Sequence, residues 1–235
     1  MVGKQTKLSK VTPIQTYILL FYIIMKIVIN SHKNSIASAH LLESLKNSIY
    51  EIIVVIGGYY NLNDYEVTTT GNITYIRCNH NSIDFTGLIA LVELYDKDDY
   101  YFYLHDTCKV GKNFIDKLKS IDLTNVSSIR IKKSFSMNIG IYSQKLINEF
   151  KDFLLTKKNT DEKRCMEFKS VNYNEDYIFN NDKNNIVLNN YDGDIYRDPV
   201  DYYKTGTMRR IEYYPNIDLY KIKANWGQVS WTLNN

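Results

Sequence analysis

Two apolar, β-branched runs separated by a helical pattern place the strongest constraint on the fold of this chain. Residues 26–30 read KIVIN and residues 51–56 read EIIVVI. Between them, residues 35–49 carry apolar side chains at the spacing of an amphipathic helix. A strand that is apolar on both faces is typical of a sheet covered by helices on both sides. The stretch therefore predicts a βαβ unit with a right-handed crossover.

A third run, aromatic rather than aliphatic, predicts a buried central strand at residues 100–104. His105, Asp106 and Thr107 follow it directly. Open α/β sheets bind their ligands outside the carboxyl ends of the strands, where a carboxylate can hold a metal ion or a sugar hydroxyl. We therefore expect this strand end to form the floor of an active site.

The remaining pattern extends the sheet and adds helices. Two β-prone pieces within residues 66–77 predict a hairpin or two edge strands, and residues 83–95 predict a helix. Ser143 is placed to cap a further helix over residues 144–154. Residues 157–190 are charged and rich in Asn, which is typical of a looser lobe or a mobile loop. The predicted fold class is α/β, a Rossmann-like mixed sheet with helices on both faces and an irregular carboxyl-terminal part.

Length and composition favour one domain. We assign residues 25–235 to it and treat residues 1–24 as an amino-terminal extension. The net charge of +3 is weak and evenly spread, so it gives no indication of a nucleic-acid partner. The three cysteines form no Cys-x-x-Cys pair, which argues against a disulfide framework or a thiolate zinc site and favours a reducing, cytoplasmic location.

The amino-terminal segment carries an apolar run that superficially resembles a membrane anchor. The uncharged run over residues 14–25 is interrupted by Lys26, and a spanning helix needs about 20 residues. Peripheral membrane association through residues 1–25 is therefore the less favoured interpretation.

The order of the predicted elements resembles that of a known enzyme class. A βαβ unit, short edge pieces, a helix, an aromatic strand ending in an acidic residue and then Asn138-Ile139-Gly140 resemble the GT-A fold of nucleotide-sugar glycosyltransferases. The resemblance covers roughly residues 26–155. It implies transfer of a sugar from a nucleotide-sugar donor, a UDP-sugar foremost, to a hydroxyl group of a glycan, protein or lipid acceptor.

The resemblance also implies roles for particular residues. The donor would contact the first strand end and a later helix start, which here are Asn30, Ser31, His32, Asn81, Ser82 and Asp84. The acceptor side would include Asn138, Gly140 and Tyr142. Trp226 is a further candidate, because an indole can stack on a sugar face, although a core Trp is the commoner outcome.

In GT-A enzymes an Asp-x-Asp motif binds a metal ion after the equivalent of the central strand. Here that place reads His105-Asp106-Thr107, with one carboxylate where the family usually has two. His105 and Asp106 are thus the candidate ligands of Mn²⁺ or Mg²⁺, which would stabilise a departing diphosphate. A literal Asp-x-Asp at residues 192–194 lies in the wrong part of the chain and is interpreted first as a turn.

Without a metal, cationic side chains must stabilise the diphosphate instead. The candidates are Lys204, Arg209 and Arg210, because Arg matches phosphate oxygens in a bidentate geometry. An inverting transfer further needs a carboxylate base for the acceptor hydroxyl. Asp194, Asp198 and Glu212 are available, and the sequence does not choose among them.

Structural interpretations and other function classes stay open. Asp106 can cap a following helix, His105 can be a structural histidine, and Asp84 can complement a helix dipole. A nucleotidyltransferase is disfavoured because the chain lacks the expected Gly-rich, Lys-containing loop, and a dinucleotide oxidoreductase because no G-x-G-x-x-G follows the first strand. The non-enzyme alternative is a catalytically inactive nucleotide- or carbohydrate-binding relative of the same fold.

Overall fold

A computed structural model of the chain describes residues 25–35, 37–164, 174–189, 194–197 and 210–223. The extension assigned to residues 1–24 lies outside this part, as do four candidate site residues, Asp198, Lys204, Arg209 and Trp226. The assignment of residues 25–235 to a single domain stays a prediction.

The described residues form strands and helices in alternation over most of the chain. The strands are β1 (Met25–His32), β2 (Ile52–Gly57), β3 (Glu66–Thr70), β4 (Ile73–Arg77), β5 (Tyr100–His105), β6 (Cys108–Val110), β7 (Ser128–Lys132), β8 (Gly140–Ser143), β9 (Asn185–Asn189), β10 (Asp194–Arg197), β11 (Arg210–Tyr214) and β12 (Leu219–Lys223). The helices are α1 (Ser38–Ser44), α2 (Thr86–Leu94), α3 (Phe114–Lys119), α4 (Gln144–Glu149), α5 (Lys151–Thr156) and α6 (Tyr177–Asn181), and a 3₁₀ turn (Ile83–Phe85) precedes α2.

The main sheet of the described structure has eight strands in the order β3-β4-β2-β1-β5-β8-β7-β9. Strands β4, β2, β1 and β5 are parallel, whereas β3 and β8 run against their neighbours. The prediction of an α/β fold with a mixed sheet is therefore confirmed. The chain steps outward from β1 to β2 and β4, then returns to the other side of β1 as β5. The strand order thus reverses between β1 and β5, which is a topological switch point.

Helices cover both faces of this sheet, as the doubly apolar strands predict. On one face Ile27 and Phe102 pack with Leu41 of α1 and Phe114 of α3. On the other face Val28 belongs to a second cluster together with residues of α2, α4 and α5. Alternate residues of β1 thus enter different cores, as the period of two of a strand requires.

The interpretation of residues 157–190 as a looser lobe or a mobile loop is wrong for residues 174–189, which pack against the sheet. Residues of α6 dock on the sheet through Ile178 and Phe179, which are 0% and 2% exposed, and β9 pairs in parallel with β7. Asp176 accepts hydrogen bonds from the backbone N–H groups of Ser136 and Asn138, at 2.6 and 3.0 Å. Two apolar residues, one buried carboxylate and the pairing of β9 thus contribute to ordering a largely polar segment.

A second, antiparallel sheet of the described structure follows the order β10-β11-β12-β6. It is joined to the main sheet at β6, which begins two residues after Asp106. It is also joined by a buried ion pair between Lys132 of β7 and Glu212 of β11. No helix of the described segments is both long and apolar enough to cross a membrane.

Candidate functional site

Polar side chains gather where the carboxyl ends of β1 and β5 meet, at the switch point of the sheet. Asn30 lies opposite His105 in the parallel pairing. The Ser31 hydroxyl donates a hydrogen bond to Asp106 Oδ2 at 2.8 Å, and both residues are buried. Because β6 follows Asp106 rather than a helix, the interpretation of Asp106 as a helix cap is wrong.

The carboxylate of Asp84 reaches this strand end from the turn before α2. Its Oδ1 atom lies 3.3 Å from His105 Nε2. Burial lowers the pKa of His105 to about 4, although the nearby charges of Asp84 and Asp106 act in the opposite direction. The imidazole is therefore neutral near pH 7, and its approach to Asp84 is a polar contact rather than an ion pair.

Glu175 is a member of the cluster that the sequence did not single out. Its side chain shares a hydrogen bond with Asp84, and burial together with the Asp84 charge raises the pKa of Glu175 to about 9. The Glu175 carboxyl group is therefore mainly protonated near neutral pH. In the sequence, the apolar pair Ile178 and Phe179 was the only indication that this polar segment packs against the sheet, and both residues are buried in the structure.

Lys221 is the second residue that sequence reasoning missed. It lies on β12 opposite Cys108 and is 5% exposed. Its ammonium group donates a hydrogen bond to the Thr107 hydroxyl. Its positive charge partly offsets the rise in the pKa of Glu175 that burial and Asp84 cause. The cluster thus combines three carboxyl groups, one neutral imidazole and one buried ammonium. This lysine could be identified only from the alternation of side chains between the two faces of β12, once the pairing of β12 with β6 is known.

Asn30 is held inside the protein by two hydrogen bonds. Its Nδ2 donates to the Ile83 carbonyl at 3.0 Å, and its Oδ1 accepts from the Gly87 N–H at 2.9 Å. The side chain therefore ties the end of β1 to the start of α2. A direct contact of Asn30 with a donor stays a prediction.

Asn81 and Ser82 shape the same turn from its other side. Asn81 Oδ1 accepts from the Ile83 N–H at 3.0 Å, and Ser82 Oγ accepts from the Asn159 N–H at 3.2 Å. The two residues are 4% and 0% exposed. Their observed contacts are structural, and a role in donor binding stays a prediction.

His32 is the last residue of β1 and pairs with Gly57 at the end of β2. A Cβ atom on Gly58 would lie 2.6 Å from His32 Nε2, and Gly58 has φ +99°. Glycine at that position therefore both adopts the turn and leaves room for the imidazole. Burial lowers the pKa of His32. Among the predicted donor residues described, His32 and Asp84 are more exposed than Asn30, Asn81 and Ser82.

The predicted acceptor residues Asn138, Gly140 and Tyr142 are all buried. Asn138 Nδ2 donates to the carbonyl of Asp84 at 3.3 Å, and the Tyr142 hydroxyl donates to the Asn138 carbonyl at 3.0 Å. A Cβ atom on Gly140 would lie 2.2 Å from the carbonyl oxygen of Ile129. These residues support the cluster from behind, and contact with an acceptor stays a prediction.

Glu212, a candidate base, is 3% exposed. Both of its carboxylate oxygens lie 3.3 Å from Lys132 Nζ, and Oε1 lies 3.1 Å from Arg210 Nη2. Tyr214 donates a further hydrogen bond to it. The strand β10 places Asp194 opposite Glu212 in the antiparallel pairing. Glu212 and Arg210 thus have a structural use in the second sheet, and catalytic or donor-binding roles for them stay predictions.

The described residues do not by themselves fit a metal centre. Across the segments that the structure describes, no three His, Cys, Asp or Glu side chains have the arrangement needed to hold a metal ion. His105 Nε2 faces Asp84, and Asp106 Oδ2 already accepts the Ser31 hydroxyl. Binding of Mn²⁺ or Mg²⁺ by His105 and Asp106 stays a prediction.

The sequence was compared with protein-family models and with curated proteins. No protein-family model matches the sequence, and no curated protein is significantly similar to it. The residues of the cluster must therefore carry the functional assignment.

Proposed function

We propose that the protein is a glycosyltransferase that moves a sugar from a nucleotide-sugar donor, a UDP-sugar foremost, to a hydroxyl acceptor. The observation that carries the proposal is the cluster of buried and half-buried polar side chains at the switch point between β1 and β5, formed by Ser31, Asp84, His105, Asp106, Glu175 and Lys221. Sheets of this class bind nucleotides outside that point. The resemblance of residues 26–155 to the GT-A fold supports the same assignment.

Donor hydroxyl groups are the natural ligands of the acidic side chains. An ionised carboxylate only accepts hydrogen bonds, whereas ribose and sugar hydroxyls can donate them. Asp106 offers such an acceptor at the end of β5, with Ser31 fixing its orientation. Asp84 offers a second acceptor across the same strand end. In this proposal the two carboxylates orient the donor at the carboxyl edge of the sheet.

Departure of the nucleotide requires positive charge near the diphosphate. Lys221 brings an ammonium group to Thr107, next to Asp106, and is the cation proposed for this role among the described residues. The predicted cations Lys204 and Arg209 lie outside the described residues. A divalent ion, where one binds, would supply Lewis-acid stabilisation of the same leaving group.

Activation of the acceptor requires a base, and we propose Glu175 for that role. Burial and the Asp84 charge raise the pKa of Glu175 to about 9, so its carboxyl group is mainly protonated near pH 7 in the free protein. A ligand that donates hydrogen bonds to Glu175 favours loss of its proton to water, and the resulting carboxylate can accept the hydroxyl proton. Glu175 thus joins Asp194 and Asp198 as candidates for this step.

Titration calorimetry with UDP-sugars, combined with an assay for UDP release in the presence of sugar acceptors, tests the proposal. Asp106→Asn should weaken donor binding at least about tenfold, because charge-assisted hydrogen bonds contribute about 1.5–3 kcal/mol. The control is Asp99→Asn: Asp99 is also buried, but it pairs with Lys26 at the opposite, amino edge of the sheet. Absence of binding by the wild type to any nucleotide sugar, or equal loss in both variants, would contradict the proposal.

The alternative is a catalytically inactive nucleotide- or carbohydrate-binding relative. The single carboxylate at residues 105–107 favours it, because the family's metal motif usually has two. Donor binding without release of UDP, under any acceptor tested, would select this alternative. We further propose a cytoplasmic location, which the free thiols of Cys78 and Cys108 support, and cell fractionation tests it.

A further inference from the structure

The turn that carries Asp84 has an unusual backbone conformation. Ile83, the residue before it, has φ +55° and is 8% exposed. A β-branched residue rarely adopts the left-handed region, because its side chain crowds the backbone there. Such a conformation persists only where the surroundings determine it, and it is concentrated at functional sites.

Side chains from both sides hold this turn in place. The Ile83 carbonyl accepts hydrogen bonds from Asn30 Nδ2 at 3.0 Å and from Thr86 Oγ1 at 2.9 Å. The Ile83 N–H donates to Asn81 Oδ1 at 3.0 Å. Both polar backbone groups of Ile83 are therefore bonded to side chains, and its carbonyl also accepts the Thr86 backbone N–H of the 3₁₀ turn.

The next carbonyl, that of Asp84, is held from β5 by a buried tyrosine. It accepts a hydrogen bond from the Tyr103 hydroxyl at 2.9 Å and one from Asn138 Nδ2 at 3.3 Å. Tyr103 is fully buried. A Cβ atom on Gly87 would lie 2.7 Å from the Tyr103 ring and 2.8 Å from its hydroxyl oxygen. Glycine in the first turn of α2 thus leaves the space through which the hydroxyl reaches Asp84.

We infer that Tyr103 is a positioning residue. Its hydroxyl holds the backbone of Asp84 in place and thereby orients the Asp84 carboxylate toward His105 and Glu175. The inference rests on the proposed function, in which Asp84 orients the donor. It differs from a purely structural role in one respect. A tyrosine that only fills the core changes stability, whereas a positioning tyrosine changes donor binding, and does so only while Asp84 is present.

The test compares Tyr103→Phe with Tyr101→Phe by titration calorimetry with the UDP-sugar that the wild type binds best. Tyr101 lies on the same strand and the same face, is also fully buried, and its hydroxyl has no hydrogen-bond partner in the described structure. We expect Tyr103→Phe to weaken binding about fivefold, the value of one typical hydrogen bond, and Tyr101→Phe to leave it unchanged. Equal affinity of the two variants would overturn the inference.

A double-mutant cycle with Asp84→Asn separates positioning from general damage. If Tyr103 acts through the Asp84 carboxylate, adding Tyr103→Phe to Asp84→Asn should change affinity less than about twofold. The same fivefold loss in both backgrounds would overturn the inference. Gly87→Ala is an independent second variant, because its new methyl group displaces the Tyr103 ring. It should reproduce the loss caused by Tyr103→Phe.

A spectroscopic measurement decides the inference even if no donor binds. Failure of the wild type to bind any nucleotide sugar would remove the proposed function, but not the claim about Asp84. The side-chain ¹³Cγ resonance of Asp84 should then shift in Tyr103→Phe and stay in place in Tyr101→Phe. An unchanged resonance in Tyr103→Phe would overturn the inference.

Discussion

Glu212 is a candidate base from sequence, and its environment predicts a stability effect that a base would not produce. Its carboxylate and the Lys132 ammonium are each 4% exposed, with both carboxylate oxygens 3.3 Å from Nζ. Glu212→Leu leaves that ammonium buried without its carboxylate, which costs about 3–5 kcal/mol in comparable pairs. Arg210 adds little to this figure, because its side chain is 30% exposed and can turn to water.

Urea unfolding followed by circular dichroism measures the effect through a double-mutant cycle. We expect Glu212→Leu alone to lose about 3–5 kcal/mol of unfolding free energy, and Lys132→Met with Glu212→Leu to recover most of it, because an apolar pair replaces the ion pair. The control is Glu51→Leu, whose carboxylate is 62% exposed and pairs with Lys26 at 3.0 Å, and which should cost at most about 1 kcal/mol. A Glu212→Leu protein of wild-type stability that lacks transfer activity would refute this reasoning and favour Glu212 as the base.

Two further predictions concern stability alone. Burial lowers the pKa of His80 and of His105 to about 4, below the ordinary 6.5. Between these two pH values the unfolded chain binds more protons than the folded protein. Each histidine should therefore lower the free energy of unfolding by about 3 kcal/mol as the pH falls from 6.5 to 4. Urea unfolding between pH 4 and 7 measures this loss. His80→Phe should remove about half of it. A pH dependence of the unfolding free energy that is the same in His80→Phe as in the wild type would contradict the prediction. Gly140→Ala places a Cβ atom 2.2 Å from the Ile129 carbonyl oxygen and should cost more than about 3 kcal/mol. The matched Gly71→Ala meets nothing within 4 Å and should cost only about 1 kcal/mol for its positive φ; similar losses in the two variants would contradict the steric explanation.

The sheet was largely predictable from the sequence because its strands are apolar on both faces. The runs at residues 26–30, 51–56 and 100–104 became β1, β2 and β5, and residues 66–77 became the antiparallel pair β3 and β4. Ser143 caps α4 as predicted, accepting a hydrogen bond from the Leu146 N–H at 3.2 Å. In these segments local propensity and tertiary burial favour the same structure.

The cluster was predictable only in part because its members come from distant segments. His105 and Asp106 were identifiable since they follow a buried strand directly. Glu175 was not, because it lies in a polar segment that is ordered by tertiary docking of α6 rather than by local pattern. Lys221 was not, because its burial depends on the pairing of β12 with β6, which joins residues more than 100 positions apart.

The central claim is that a nucleotide-sugar donor binds at the carboxyl edge of β1 and β5. Backbone NMR titration of the ¹⁵N-labelled protein with a UDP-sugar tests it most directly, because each amide reports its own surroundings. The account predicts shifts concentrated at residues 30–34, 83–85, 105–107 and 174–176, with residues 96–99 at the opposite edge unchanged. Shifts concentrated away from the switch point, or none at saturating ligand, would contradict it.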